Sequence, residues 1–180
     1  MEKKIVILNG SPHVEGNTAV LIDAFSKGAE SAGNTVTSFF LDGMNINGCK
    51  GCRKGKGMVQ SPCEQKDDMD KIYPAYIEAD VVVLASPLYY WNLSGQLRTA
   101  FDRLFAVAES ASGARNPHKD CVLLMTAGGD GFDAVVRYYD VLMNNLGWNS
   151  LGMILAGGMS GAAIAGRPEL AQAEKLGAQI

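Results

Sequence analysis

Cysteine is scarce in this sequence, with four in 180 residues, too few for the disulfide framework of a small secreted domain. The scarcity points to a reducing compartment, and the cytoplasm is the expected location. Net charge is scarce as well: Lys plus Arg number 16 and Asp plus Glu 19, a formal charge of −3. That balance gives no electrostatic case for nucleic acid or an anionic membrane as a partner. Long hydrophobic runs are missing. The opening run Ile5-Val6-Ile7-Leu8 is ended by Asn9-Gly10-Ser11-Pro12 and is too short for a signal peptide. The longest charge-free stretch, 141–166, is interrupted by Asn144, Asn145, Asn149 and several Gly, so it does not read as a membrane helix. No internal repeat and no linker divide the chain, and one domain over 1–180 is expected.

What is present is an apolar fraction of 47% and 21 Gly. The first supports a packed core over disorder. The second supplies many positions where backbone can turn sharply or approach a partner closely. Apolar runs at Lys4–Leu8, Thr35–Leu41, Val81–Ala85, Cys121–Met125 and Leu151–Ala156 read as strands. Between them lie helical patterns. Thr18–Ala32 carries Leu21, Ala24, Phe25, Gly28 and Ala29 on one face and is stopped by Gly33-Asn34. Asp67–Ala79 is a second helix, kinked or delayed by Pro74. Leu93, Leu97, Phe101, Leu104, Phe105 and Ala108 form one helical stripe. Phe132–Leu146 and Pro168–Gln179 complete the set, the last with Pro in its first turn. The segments 42–61 and 111–119 read as loops. Five strand–helix alternations imply a parallel sheet with helices on both faces.

In such sheets a ligand sits beyond the carboxyl ends of the strands, where strand order reverses. The loops after strands one, three and four, 9–17, 86–92 and 126–131, are therefore the candidates. The first runs Gly10-Ser11-Pro12-His13-Val14-Glu15-Gly16-Asn17-Thr18. Its hydroxyls, an N-capping Asn17 and the positive end of the following helix suit a phosphate. Five residues separate Gly10 from Gly16, and Asn17 stands where a triphosphate-binding loop needs Lys. The dinucleotide pattern Gly-x-Gly-x-x-Gly is absent there too. A hydroxyl- and amide-lined loop without Lys suits a phosphate monoester such as that of FMN; an ordinary capped strand–helix turn reads equally well from this loop alone.

The second loop is Ser86-Pro87-Leu88-Tyr89-Tyr90-Trp91-Asn92. Three consecutive aromatics at a ligand edge suit stacking on a planar ring; a subunit interface or core plug is the other reading. In the third, Thr126-Ala127-Gly128-Gly129-Asp130-Gly131, adjacent glycines let backbone N–H groups reach ring heteroatoms, or simply form a turn.

With these residues in place, the chain resembles the NAD(P)H-dependent FMN reductases of the flavodoxin-like superfamily, and within them the iron–sulfur flavoprotein relatives. The resemblance rests on Asn9-Gly10-Ser11-Pro12 with Gly16-Asn17-Thr18, Cys49-x-x-Cys52, Asp67-Asp68-Met69, Ala79-Asp80, Ser86-Pro87-x-Tyr89 and Asp102-Arg103, and covers nearly the whole chain. It implies a flavodoxin-like three-layer α/β sandwich with a five-stranded parallel sheet of order 2-1-3-4-5, bound FMN, and a homodimer or higher homo-oligomer. By the same resemblance Ser11, His13, Asn17 and Thr18 hold the phosphate. Pro87, Leu88, Tyr89, Tyr90 and Trp91 flank the ring, and Thr126, Ala127, Gly128 and Gly129 meet its polar edge. The implied activity is transfer of hydride from NAD(P)H through FMN to a small acceptor such as a quinone, a nitro- or azo-aromatic, or free flavin. Since the cofactor carries that chemistry, no catalytic side chain is assigned.

The chain departs from the family in two places. Position 13, often Arg in relatives, is His13, a weaker phosphate partner near neutral pH. The iron–sulfur members carry a third Cys where this chain has Gly55, followed by Cys63, so a four-thiolate cluster lacks one ligand and no metal is assigned. Cys121 lies in a strand and reads as core. Cys49, Cys52 and Cys63 admit a metal site with a non-Cys ligand, a redox pair at Cys49 and Cys52, or a family remnant. Lys50, Arg53, Lys54 and Lys56 read as a solvated loop, with an acidic electron-transfer partner or a dinucleotide phosphate as the other uses. His118 reads as structural and Asp102-Arg103 as an ion pair. Two alternatives to the enzyme follow: an FMN-binding electron carrier between protein partners, or a redox- or metal-responsive module built on the cysteine loop.

Overall fold

The computed structural model describes residues 2–53, 55, 60–110, 117–159 and 163–180. The positions of Lys54 and Lys56, and most of the 111–119 loop, lie outside these. Five strands form one parallel sheet: β1 (Lys4–Asn9), β2 (Thr35–Phe40), β3 (Val81–Pro87), β4 (Asp120–Thr126) and β5 (Asn149–Ala156), in the order β2-β1-β3-β4-β5. Ile5 pairs with Val36 on one side and Val81 on the other, so the direction of winding reverses beside β1. The helices are α1 (Asn17–Ser31), α2 (Met69–Glu78), α3 (Gly95–Arg103), α4 (Phe105–Ser110), α5 (Asp133–Leu146) and α6 (Pro168–Ala178).

Strand residues alternate between two buried faces, which is why the strands read as continuous apolar runs. Val6, Leu8, Val82, Leu84, Leu123 and Met125 pack with Ile72, Tyr73 and Tyr76 of α2, Leu97 of α3 and Val135 and Tyr139 of α5. Ile5, Ile7, Val81, Val83, Val122 and Leu124 pack with Leu21, Ile22 and Phe25 of α1 and Ala173 of α6. Each such fully buried side chain is worth roughly 1.5–3 kcal/mol relative to exposure. On the second face α1 and α6 meet almost backbone to backbone. A Cβ at Gly28 would fall 1.9 Å from the Glu174 carbonyl oxygen, and one at Gly177 would fall 2.1 Å from that of Phe25. The flavodoxin-like sandwich expected from the sequence is the fold observed. No helix among the described residues is long and apolar enough to cross a membrane.

Two helices depart from the sequence pattern. α2 starts at Met69, not Asp67, because the Asp67 carboxylate accepts the Met69 N–H and takes no helical position. The stripe through Leu93–Ala108 is two helices, broken at Leu104. The Tyr73 hydroxyl donates to the Arg103 carbonyl at 3.2 Å, and the Val107 N–H turns to Leu104 O at 3.0 Å. The break buries Val107 and leaves Phe105 52% exposed, off the stripe in which the spacing placed it.

Candidate flavin site

The first loop leaves the carboxyl end of β1 and folds on its own polar atoms. Asn9 Oδ1 accepts the Ser11 N–H at 3.0 Å, Ser11 Oγ accepts the His13 N–H at 3.1 Å, and the His13 carbonyl accepts the Gly16 N–H at 3.4 Å. The Gly10 N–H donates to Ala85 O at 2.8 Å, tying this loop to the end of β3. The residue capping α1 is Gly16, in extended backbone with no side-chain cap, and Asn17 is the first helical residue. The expected cap at Asn17 is thus corrected. Its Oδ1 instead accepts the Ile164 N–H at 3.0 Å, because the segment after β5 comes alongside and needs an acceptor.

The second loop is a tight hairpin. Tyr89 and Asn92 exchange both backbone hydrogen bonds at 3.1 Å, and the two residues between them, Tyr90 and Trp91, have φ of 47° and 57°. A two-residue turn with positive φ at both positions ordinarily takes Asn and Gly, and a bulky aromatic there is strained. The hairpin is nonetheless well anchored. Ser86 Oγ accepts the Ser94 N–H at 2.8 Å, and Ser94 Oγ caps α3 through the Leu97 N–H at 3.3 Å. Its rings stand outward, Tyr89 at 44%, Tyr90 at 94% and Trp91 at 62% exposure.

The third loop is joined to both others and to a fourth. The Thr126 carbonyl accepts the Leu88 N–H at 2.8 Å, and the buried Thr126 hydroxyl lies 2.8 Å from that of Thr18. Ala127 N–H donates to Ala156 O at 2.9 Å, Met159 N–H to Ala127 O at 3.1 Å and Gly158 N–H to Gly129 O at 3.2 Å. The segment after β5 therefore belongs to the site, and the sequence reading of loops one, three and four omitted it. Its signal was Gly157-Gly158 directly after an apolar strand.

The thirteen residues expected at the cofactor line two adjoining hollows. A cleft of about 170 Å³ is walled by Ser11, His13, Gly16, Asn17, Thr18, Pro87, Leu88, Tyr89, Thr126, Ala127, Gly128 and Met159. A cavity of about 320 Å³ is walled by Leu88, Tyr90, Trp91, Ala127, Gly128, Gly129 and Gly131. Leu88, Ala127 and Gly128 belong to both, so the hollows are continuous. The first is rich in hydroxyls and loop amides at the start of α1, as a phosphate requires. The second is apolar and aromatic, as a flat ring requires. A Cβ added at Gly129 meets no protein atom within 4 Å, so the second hollow is open at that point. These features fit an FMN monoester.

The sequence of the family described as NADPH-dependent FMN reductase matches residues 3–163. The chain belongs to that family. Two iron–sulfur flavoproteins are similar to it. One, from Archaeoglobus fulgidus, is 39% identical over 101 residues, covering 56% of this chain and 45% of that protein. The other, from Methanocaldococcus jannaschii, is 34% identical over 122 residues, covering 63% and 54%. The chain thus matches about half the length of these relatives. In fold it is similar to an NAD(P)H:quinone oxidoreductase from Methanothermobacter marburgensis, with TM-score 0.76 and 20% identity over 99% of this chain and 97% of that one. An azoreductase from Bacillus anthracis aligns with TM-score 0.70 and 18% identity over the full length of both.

The cysteines lie elsewhere. Cys49, Cys52 and Cys63 line a separate cavity of about 290 Å³ with Lys50, Arg53, Arg103 and Phe105. It shares no lining residue with the flavin hollows. Cys63 is buried and its Sγ accepts from Arg103 Nη2 at 3.4 Å. Cys121 is wholly buried in β4, where burial pushes its thiol up to about 12, and it does not line the cavity that the other three share. Among the described residues no three His, Cys, Asp or Glu side chains are grouped to hold a metal ion. This donor set does not fit a four-thiolate cluster.

Arg103 does form an ion pair, but with Asp67 and not with its neighbour Asp102. Nη1 and Nη2 meet the two Asp67 oxygens at 2.6 and 3.1 Å, and both side chains are buried. Nη1 also donates to the Asn47 carbonyl at 2.7 Å. Burial pushes the Asp67 carboxyl up, but hydrogen bonds from Arg103, Asn47 and Met69 outweigh it and hold the carboxyl below its ordinary value. The pair fastens both ends of the cysteine loop to α3. His118 is structural: its Nδ1 meets Gly147 O at 2.6 Å.

Proposed function

We infer that the chain is an FMN-dependent oxidoreductase that uses a nicotinamide nucleotide to reduce a small acceptor. The observation that carries this reading is the continuity of a hydroxyl-lined cleft with an aromatic-walled apolar cavity at the point where strand order reverses. Ser11, His13, Asn17 and Thr18 hold the phosphate; Pro87 to Trp91 flank the ring; Thr126 to Gly129 present backbone to its polar edge. FMN supplies, when bound, the capacity to take a hydride from NAD(P)H and deliver electrons to a quinone, a nitro- or azo-aromatic, or free flavin. The chain's own part is to orient the ring, to place loop amides where negative charge collects, and to leave one ring face open to the co-substrate. No side chain is needed to shuttle a proton.

Exposed Tyr90 and Trp91 support a homodimer in which this face meets a second copy, and the four unpaired cysteines support a reducing cytoplasm. Anaerobic addition of NADPH or NADH to the purified holoprotein should bleach its visible flavin absorbance. No bleaching with either nucleotide would remove the enzymatic reading.

A second reading rests on the gathering of Cys49, Cys52 and Cys63 around one cavity with Lys50 and Arg53. It makes this loop a redox- or metal-responsive element, or a docking point for an electron-transfer partner. Iron and zinc analysis of anaerobically purified protein, beside Cys52→Ser, tests it. Absence of both metals and an unchanged variant would remove it.

A further inference from the structure

While Arg103 turns inward to Asp67, its neighbour Asp102 stays exposed and makes no hydrogen bond or ion pair among the described residues. Arg98, one turn earlier on α3, lies over the Tyr138 ring at 5.1 Å and makes no ion pair with Asp102. Asp102 instead joins the lining of a cavity of about 190 Å³, of which it is the one charged member among the described residues. That lining comes from the last turns of α2, α3 and α5, the start of α4 and the residue before β5. The cavity therefore lies towards the amino ends of the strands, and it shares no lining residue with the flavin hollows.

Four aromatic rings wall it. The Trp148 ring centroid is 6.3 Å from that of Tyr76 and 6.1 Å from that of Phe101, tilted 39° to the first and 79° to the second. Trp148 Nε1 donates to Pro117 O at 2.9 Å, which fixes the indole. Phe105, turned outward by the break at Leu104, forms the rim. Rings set at several angles around a small space attract a cation through their faces. Lys119 Nζ lies 5.5 Å from the Tyr76 centroid, but it is tied to the Ile77 and Ala79 carbonyls and does not line the cavity. Among the described residues no cation lies over Phe101, Phe105 or Trp148.

The cavity also holds a polar group in want of a partner. Three tyrosines are buried on this side of the sheet. Tyr73 donates to Arg103 O at 3.2 Å and Tyr139 to Cys121 O at 3.1 Å. Tyr76 is 1% exposed and lines the cavity, and its hydroxyl has no hydrogen-bond partner among the described residues. Buried hydroxyls are ordinarily bonded, and a phenolic oxygen can accept from an ammonium N–H.

We propose that this cavity binds a compact protonated amine with an apolar body, its ammonium received by the Asp102 carboxylate and the Tyr76 oxygen and its body by the rings. The volume is below the roughly 300 Å³ at which drug-sized sites begin, so the occupant is small. An anion would be repelled by Asp102, and a neutral apolar molecule would leave both Asp102 and Tyr76 without a partner. The inference does not depend on the flavin reading.

The test is a nitrogen-15 NMR titration of the full chain as purified, near neutral pH and at constant ionic strength, with benzylamine, benzyl alcohol and benzoate. The two tryptophans give two indole N–H signals, assigned with Trp91→Phe. Benzylamine should shift the Trp148 signal saturably with a Kd of about 1 mM, and the alcohol and benzoate should bind at least about tenfold more weakly. Asp102→Asn, an exposed change, should weaken benzylamine about three- to tenfold. Tyr76→Phe, which keeps the ring, should weaken it about two- to fivefold. Equal affinity for benzyl alcohol would reduce the site to an apolar hollow and overturn the proposal. So would unchanged benzylamine affinity in Asp102→Asn, a shift confined to Trp91, or no saturable shift at all.

Discussion

The Thr18 hydroxyl lies 2.8 Å from the Thr126 hydroxyl, 108 residues further along the chain. Both are buried beside the cleft, one in the first turn of α1 and the other at the end of β4. The bond closes the first loop against the third. Replacing either Thr by Val leaves the other hydroxyl buried without this partner, at about 1–3 kcal/mol. The double variant should cost less than the sum of the singles, because no orphaned hydroxyl remains. Chemical denaturation of the three variants checks this, and strict additivity would mean that the two hydroxyls do not act as a pair.

Gly129 faces open space at the ring cavity, with φ outside the left-handed region. Gly129→Leu should therefore fold normally and fill the hollow. The expected outcome is a wild-type melting curve with flavin content reduced at least about tenfold, about 1.4 kcal/mol. Full flavin content in this variant would place the ring elsewhere.

Tyr90 and Trp91 occupy the left-handed region, which costs roughly 1–2 kcal/mol per residue. Tyr90→Gly should relieve part of this and raise stability by about 1 kcal/mol, read as a higher urea midpoint at unchanged slope. The same variant should bind flavin more weakly, since it loses a wall of the ring cavity. Gain of stability with unchanged flavin affinity would detach the turn from cofactor binding.

The buried Arg103–Asp67 pair predicts both a mutational and a pH effect. Arg103→Met alone strands a buried carboxylate and should cost about 3–5 kcal/mol, whereas Arg103→Met with Asp67→Leu should cost clearly less. Asp67 has its carboxyl held below the ordinary value by Arg103, Asn47 and Met69, against the opposing effect of burial. A depressed carboxyl contributes stability that is complete above the unfolded carboxylate range, near pH 4, and is lost as pH falls through the folded value. Asp67→Asn should thus be less stable than wild type at neutral pH and lose less on acidification below about pH 4. Parallel acid-denaturation curves would contradict this.

The layer architecture was legible because its cause is local and repetitive. Apolar runs such as Val81–Ala85 and the faces of Leu21, Phe25 and Ala29 report which surfaces must leave water, whatever they meet there. That the candidate residues would gather at one edge was legible for a related reason: parallel winding brings the ends of β1, β3 and β4 together, and the unusual residues sit at those ends. In two places the pattern misled because a distant group had intervened. The Leu93–Ala108 stripe broke because Tyr73 takes the Arg103 carbonyl, and Asn17 left its capping role because Ile164 needs an acceptor.

By itself, then, the sequence determined the alternation of strands and helices, the strand ends at which the candidate residues lie and the scarcity of charge around the first loop. Tertiary structure alone decided which partner each polar group found. Arg103 joins Asp67 across 36 residues instead of its neighbour Asp102, Thr18 joins Thr126, and the segment after β5 completes the cleft through Met159. The division is physical. Hydrophobic burial depends on a residue's own surface and period, so it can be read along the chain. A hydrogen bond depends on distance and direction between two groups, and those exist only once the chain has folded.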